Sequence, residues 1–442
     1  MTFPAACPAG TTATGGPLLF YLQGAARTGL ATDATGASNI TNDEFALFIQ
    51  DTWQVTPRVT LNYGLRWDAQ LMPETVDPTT TAYAPFLNDP RFPSDGDIPD
   101  QMAQFQPRLG VAWDVRGNQR SVIRASAGIY YARQNMLSQV GSVTTNGLQQ
   151  QSIFRNSGFA SFAEMPVWPN VLTPAPLPPG TFPDFSGVRV FDREYKNPRI
   201  FSVNAAYEQE LAANFSGYID VTWAEGDHLT RFINVNRADR GSPFAPQLDE
   251  VMVTNSVGES RYRGVTLGLR KRFADRWQME ANYVLSKDED HDSNERDPFT
   301  DRSFDPVDLE KDWGPSDRDI RHKFNFYAYG ELGWGLQGNG RIQARGAQPI
   351  TASPRVTPQG VDQGRNSLRK DNAYFSFDWR LQRPFRLGKS AELIPIIEMF
   401  NTFNNDNNVN PLTTPALFDF NGFLRTGVGD PRQTQLALKL TF

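Results

Sequence analysis

The chain has 442 residues, with 43 Lys and Arg against 49 Asp and Glu and a formal net charge of −6, spread without long runs of one sign. That balance excludes the basic footprint of a nucleic-acid binder. Hydrophobic residues make up only 39% and mean hydropathy is −0.48, yet aromatics reach 12%, too aromatic for a disordered chain. No apolar run approaches the roughly 18 residues of a membrane-spanning helix.

The N-terminal MTFPAACPAGTTATGG lacks the charged start and apolar stretch of an export signal. Residues 1–41 are expected to be irregular, and 42–442 to form the body of the fold. From there the period is two. In EFALFIQDTWQV, Phe45, Leu47, Ile49 and Trp53 share a face. After Thr56-Pro57, Val59, Leu61, Tyr63, Leu65 and Trp67 alternate with Arg58, Thr60, Asn62, Gly64, Arg66 and Asp68. A helix would scatter these apolar residues round its circumference, so the pair is predicted to be a β-hairpin.

The pattern continues to the end. Leu109, Val111, Trp113 and Val115 alternate with Arg108, Gly110, Ala112 and Asp114, and a strand follows from about Ser121 to Ala132. Phe201 to Tyr207 and Phe215 to Trp223 flank a turn at Ala213-Asn214. Val265 to Leu269 and Trp277 to Leu285 flank another at Ala274-Asp275. Phe324 to Leu332, Arg341 to Arg345, Phe375 to Leu381 and Ala391 to Phe400 follow, then Thr434, Leu436, Leu438, Leu440 and Phe442. The total is about 14 strands.

Tight turns alternate with long polar connections, near residues 71–104, 134–197, 237–260, 288–317 and 349–370. Such asymmetry, with aromatic-rich apolar faces, predicts an all-β, antiparallel, transmembrane outer-membrane β-barrel with long extracellular loops. A wide barrel of this kind has a wet interior. Arg66, Asp68, Arg108, Asp114, Asp220, Arg270, Asp378 and Arg380 are then the candidate lumen-facing polar residues.

The ending DPRQTQLALKLTF resembles the C-terminal signal read by the barrel assembly machinery, which assigns Leu438, Leu440 and Phe442 to that role. Several segments, in order, resemble the Oar-like branch of the TonB-dependent receptors. They are FALFIQDTWQVTPRVTLNYGLRWD (45–68), FQPRLGVAWD (105–114), RYRGVTLGLRKRF (261–273), GPSDRDIRHKFNF (314–326), AELIPIIEMFNTFNNDNN (391–408) and the terminal stretch. The resemblance implies a large barrel plugged by an N-terminal domain and energised through a short N-terminal TonB-binding motif. It makes this chain the C-terminal part of such a receptor, with plug, TonB motif, export signal and early strands expected upstream. Outer-membrane lipid or lipopolysaccharide, the assembly machinery and an unidentified substrate (peptide, glycan or metal chelate) are the implied partners, and TonB only through the upstream part.

Other chemistry is thinly represented. Cys7 stands alone, and His228, His291 and His322 are far apart, so no metal-ligand spacing forms. No P-loop, G-x-S-x-G or H-E-x-x-H occurs. No enzyme, cofactor or nucleic-acid partner is therefore expected. The acidic stretch 286–312 offers Asp288, Asp290 and Asp292, with Glu289, Asp297 and Asp301, as oxygen ligands for Ca²⁺. It lacks the spacing and glycine of an EF-hand, and the alternative is a solvated loop. His322, near Asp317 and Asp319, is expected to open a strand. The proline-rich 167–185 is either a stiffened substrate-capturing loop or a stiff loop that resists proteolysis. A stand-alone passive pore and a secreted all-β binding module remain the competing functional expectations.

Overall fold

A computed structural model describes residues 20–26, 38–147, 150–156, 187–237, 243–248, 250–293, 300–305, 307–352, 354–369, 372–388, 390–407 and 431–442, with backbone alone at 20–26 and 150–156. The proline-rich segment 167–185 and Cys7 lie outside them.

The alternating segments form strands. In chain order they are β1 (Phe20–Ala26), β2 (Asp43–Thr56), β3 (Val59–Leu71), β4 (Gln101–Asp114), β5 (Ser121–Tyr131), β6 (Gln150–Asn156), β7 (Val188–Phe191), β8 (Arg199–Ala212) and β9 (Phe215–Asn234). There follow β10 (Val251–Ala274), β11 (Trp277–Asp290), β12 (Gly314–Pro315), β13 (His322–Glu331), β14 (Gln337–Arg345), β15 (Tyr374–Gln382), β16 (Phe385–Leu387), β17 (Ala391–Phe400) and β18 (Gln433–Thr441). Segment 1–41 is not irregular throughout, because β1 pairs with β6 in a separate two-stranded sheet.

The other strands make one 16-stranded sheet. Setting aside the short β7, β12 and β16, thirteen long strands lie side by side in chain order from β2 to β18. Every adjacent pair among them is antiparallel. The tight turns fall where turn chemistry put them. Asn214, Asp275 and Arg276 take φ of 64°, 53° and 73°, the left-handed values that a two-residue hairpin turn needs. Asp114 secures the 115–120 turn by accepting from the backbone N–H groups of Gly117 (2.9 Å) and Gln119 (2.8 Å).

At the other end the chain departs from expectation. Strands β9 and β10 run on past the apolar band, so 251–260 is strand and not loop. Helix α1 (Met136–Thr144) sits inside the expected loop 134–197, its first turn capped by the Asn135 side chain on the Ser138 N–H (3.0 Å). The parallel β7 joins β10, Val188 opposite Val251. The largest buried apolar cluster among the described residues lies here: Tyr83, Phe92, Val188, Val190, Leu248, Val251 and Val253. The sheet's apolar face carries no such cover. Ile49 is 75% exposed, Leu267 48% and Leu436 76%. Among the described residues no helix is long and apolar enough to cross a membrane, and strands are not tested by that criterion.

Candidate functional site

Register decides which side chains meet. Arg66 lies opposite Gln106, Arg108 opposite Gly128, Gly128 opposite Ser202, Ser202 opposite Ala224 and Ala224 opposite Tyr262. Arg270 lies opposite Glu280, Glu280 opposite Tyr327, Tyr327 opposite Arg341 and Arg341 opposite Asp378. Opposed residues, and residues two apart on a strand, point to the same side. Arg66, Asp68, Arg108, Asp114, Asp220, Arg270, Asp378 and Arg380 therefore share one polar face. The opposite face holds Phe45, Leu47, Ile49, Leu65, Leu109, Val221, Leu267, Leu285 and Leu438, all exposed.

Two of the eight meet directly, and a third joins them through Gln106. Arg66 pairs with Asp68 (2.9 Å), Gln106 donates to Asp68 (2.5 Å), and Arg108 donates to Gln106 (3.2 Å) while lying over the Tyr130 ring (4.7 Å). Arg66, Gln106, Arg108 and Tyr130 border a groove of about 550 Å³, completed by Gln50, Thr52 and Asn62. The remainder are spread across the sheet with their own partners. Asp220 accepts from Asn204 (2.8 Å) and Thr222 (3.1 Å), Arg270 pairs with Glu280 (3.0 Å), and Arg380 with Glu398 (3.4 Å). Asp378 accepts from the Ser376 hydroxyl (2.6 Å) and the Asn401 N–H (2.9 Å). Asp114 is committed to its turn. Gln106, Tyr130, Glu280 and Glu398 were not anticipated as members of this face. Alternation marked their side, but only cross-strand register shows whom they touch.

Asp297 lies outside the described residues; among those described, the acidic stretch is only partly solvated, with Asp308 and Glu310 exposed and Asp290, Asp292, Asp305 and Asp312 buried, as is Asp319 just beyond it. Basic side chains neutralise the buried carboxylates: Lys311 meets Asp305 (2.8 Å), and arginines from β9, from the stretch itself and from the later 355–369 loop meet the others. Arg365 meets Asp290, Arg369 meets Asp319, Arg302 meets Asp292 (3.4 Å) and Asp317 (2.8 Å), and Asp312 sits between Arg231 (3.0 Å) and Arg355 (3.2 Å). Burial opposes the Asp317 charge, but Arg302, Arg365 and a hydrogen bond from Asn366 outweigh it and hold its carboxyl well below the usual range. Asp288 lies opposite Tyr262 on β10. Asp290 and Asp292 thus belong to an ion-paired cap, with Asp288 beside them donating its N–H to Asp319 (3.0 Å), and among the described residues no group of three or more His, Cys, Asp or Glu is arranged to hold a metal. His322 opens β13 as expected, and its Nδ1 contacts the Tyr283 hydroxyl at 2.7 Å. Its expected acidic neighbours, Asp317 and Asp319, face the arginines instead.

The family model described as outer membrane beta barrel domain matches residues 1–345. No curated protein matches. Among solved structures, the outer membrane transporter YddB from Escherichia coli is 12% identical with a TM-score of 0.57, over 90% of this chain and 45% of that one. The FrpB iron transporter from Neisseria meningitidis is 13% identical with a TM-score of 0.53, over 93% and 47%. The siderophore receptor PiuA from Acinetobacter baumannii is 10% identical with a TM-score of 0.52, over 91% and 43%. The aligned region spans less than half of each of these solved chains.

Proposed function

We propose, for a chain that belongs to the family of outer membrane beta barrel domains, that its sheet is part of the wall of a TonB-dependent transport barrel, with the polar face towards the lumen. The chain's place is the outer membrane of a Gram-negative bacterium. The observation that carries the proposal is the sorting of faces: the candidate polar residues register on one side and most of the exposed Leu, Val and aromatic residues on the other, with Phe48, Tyr130, Ile200 and Tyr327 among the apolar members of the polar side. In a bilayer the second side meets lipid at no cost, and the first requires water.

Strand direction supports the receptor reading over a self-contained pore. With thirteen antiparallel long strands, β2 and β18 run the same way. Pairing them with each other makes a parallel seam, and leaving them unpaired in lipid strands a row of backbone groups on each. An odd number of further strands closes an all-antiparallel barrel. In this proposal they come from the upstream part of the receptor, which also supplies the plug and TonB motif, and the branch is the Oar-like one. Leu438, Leu440 and Phe442 present the terminal strand to the barrel assembly machinery. The substrate enters past the loop cap and meets the polar face. Similarity at 10–13% identity supports the fold and leaves peptide, glycan and metal chelate open as cargo.

Single cysteines introduced into a Cys7→Ser background, in intact outer membranes, test the assignment of faces. A membrane-impermeant maleimide should label Asp220→Cys and Arg270→Cys and spare Val221→Cys and Leu267→Cys. Equal labelling of the two sets sinks the proposal. Steady conductance from a refolded 442-residue chain would favour the passive pore, and monomeric solubility without detergent the secreted module.

A further inference from the structure

The groove on the polar face of β2 to β5 owes its depth to glycines. Gly64 lies between Gln50 and Arg108, and Gly110 between Asn62 and Ser126. With no side chain at these two inward positions the wall is recessed, which opens the space of about 550 Å³. Gln50, Thr52, Asn62 and Ser126 line it, and all four are exposed. Amide and hydroxyl side chains both donate and accept hydrogen bonds, as sugar hydroxyls do.

Charge along the groove is unbalanced. Arg66, Asp68, Gln106 and Arg108 form one chain of contacts, with two guanidinium groups against one carboxylate. Among the described residues Arg108 has no carboxylate partner. Its guanidinium is held over the Tyr130 ring, and Tyr130 leans back along β5 across Gly128, where a Cβ would lie 3.0 Å from the hydroxyl. The fork is therefore positioned before any ligand arrives. Phe48, opposite Arg66, is 68% exposed on this same polar side. Its ring offers an apolar face to the C–H side of a pyranose.

We infer that this groove binds an acidic oligosaccharide. Arg108 takes a uronate carboxylate through its planar fork. Gln50, Thr52, Asn62 and Ser126 meet the hydroxyls, and one sugar ring packs on Phe48. The site rests on the polar face being the wall of a lumen, and it selects glycan among the three cargo classes. A peptide would bring side chains that need apolar pockets. Of the described inward lining only Phe48 and Tyr130 are apolar, and Arg108 covers the second.

The test is isothermal titration calorimetry on protein extracted from outer membranes in mild detergent, with trigalacturonate, its methyl ester and triglutamate as probes. The parent should bind trigalacturonate about tenfold tighter than the ester, the scale of one hydrogen bond to a charged group, and tighter than triglutamate. Arg108→Gln should bring the acid to the level of its ester, and Arg108→Lys, which keeps the charge without the fork, should fall between. Gly110→Val fills the groove from its floor. A Cβ there meets nothing nearer than 3.8 Å, so the strand accepts it, and both sugars should bind severalfold more weakly. Arg120→Gln, in the turn at the far rim, should match the parent. SDS-resistant migration checks that each variant assembles. Equal affinity of the parent for acid and ester, triglutamate bound as tightly as the sugar, or full sugar binding by assembled Gly110→Val overturns the proposal. Maleimide labelling separates the site from its premise. Labelling of the polar face alone, with no sugar preference, leaves the lumen wall standing, whereas equal labelling of both faces removes it.

Discussion

Tyr218 on β9 stands directly opposite Gly268 on β10, and its ring fills the space of the missing side chain: a Cβ on Gly268 would lie 2.1 Å from the ring. Gly268 is thus kept small by its neighbour and not by its backbone angle. Gly268→Ala should force the ring aside and cost about 1–3 kcal/mol, the usual range for overpacking. Gly128→Ala should be milder, because the nearest atom there is the Tyr130 hydroxyl at 3.0 Å. Thermal loss of SDS-resistant migration reads both. If Gly268→Ala proves no worse than Gly128→Ala, the Tyr218 ring is not held in place.

The cap makes a sharper demand. Arg231 and Asp312 are each 1% exposed and form one ion pair, with Arg355 on the other side of Asp312. Removing one partner of a buried pair leaves an uncompensated charge and costs roughly 3–5 kcal/mol, whereas an apolar replacement of both is often tolerated. Asp312→Asn should therefore release the loops to limited proteolysis near residues 300–320 in an otherwise assembled protein. Arg231→Met combined with Asp312→Leu should restore part of the protection. Equal protection of parent and Asp312→Asn would show that Asp312 does not anchor the cap.

What the sequence disclosed and what it withheld divide along this same line. Strands such as β3 are legible because a period of two is local: Leu61, Tyr63 and Leu65 need no other segment to declare their side. Tight turns are legible for the same reason, as at Ala213-Asn214 and Ala274-Asp275. The cap is not. Val188 meets Val251, and Asp290 meets Arg365, across connections whose residues carry no periodicity. An acidic stretch looks solvated until the arginines that neutralise it are found elsewhere in the chain. The same holds for the polar face, where Arg108 was visible as a charge on one side of a strand and its stacking on Tyr130 was not.

The cap should also respond to acid. Asp317 has its carboxyl held below the ordinary value by Arg302 and Arg365 against the cost of burial, and Asp362 is lowered chiefly by its hydrogen bond from Arg355. A carboxyl whose folded-state pKa lies below its unfolded one adds stability that is complete above the unfolded value and lost as pH falls through the folded one. Hydrogen-exchange protection of residues 312–320 and 355–366 should decline only below about pH 4, since both shifts are downward from the ordinary carboxylate range. Asp288, pushed up to about 6 by burial and by Asp290 and Asp319, adds a rise and not a fall as pH drops through that value. A decline beginning near pH 6 would mean that other groups govern the cap.

The terminal residue tests assembly apart from stability. Among the described residues strand β18 pairs with β17 alone, its outward Leu436 and Leu438 are 76% and 67% exposed, and Phe442 is 97% exposed beyond the strand's end. A side chain so uncovered contributes almost nothing to packing within the sheet. Its loss should leave the melting of assembled protein unchanged. If Phe442 instead serves recognition by the assembly machinery, deleting it should lower the amount reaching the outer membrane severalfold, with Phe442→Ala close behind and Phe442→Trp near the parent level. Membrane levels and melting temperatures measured on the same preparations separate the two effects. Normal levels after the deletion would remove Phe442 from assembly, and a lowered melting temperature at normal levels would place it in the barrel wall.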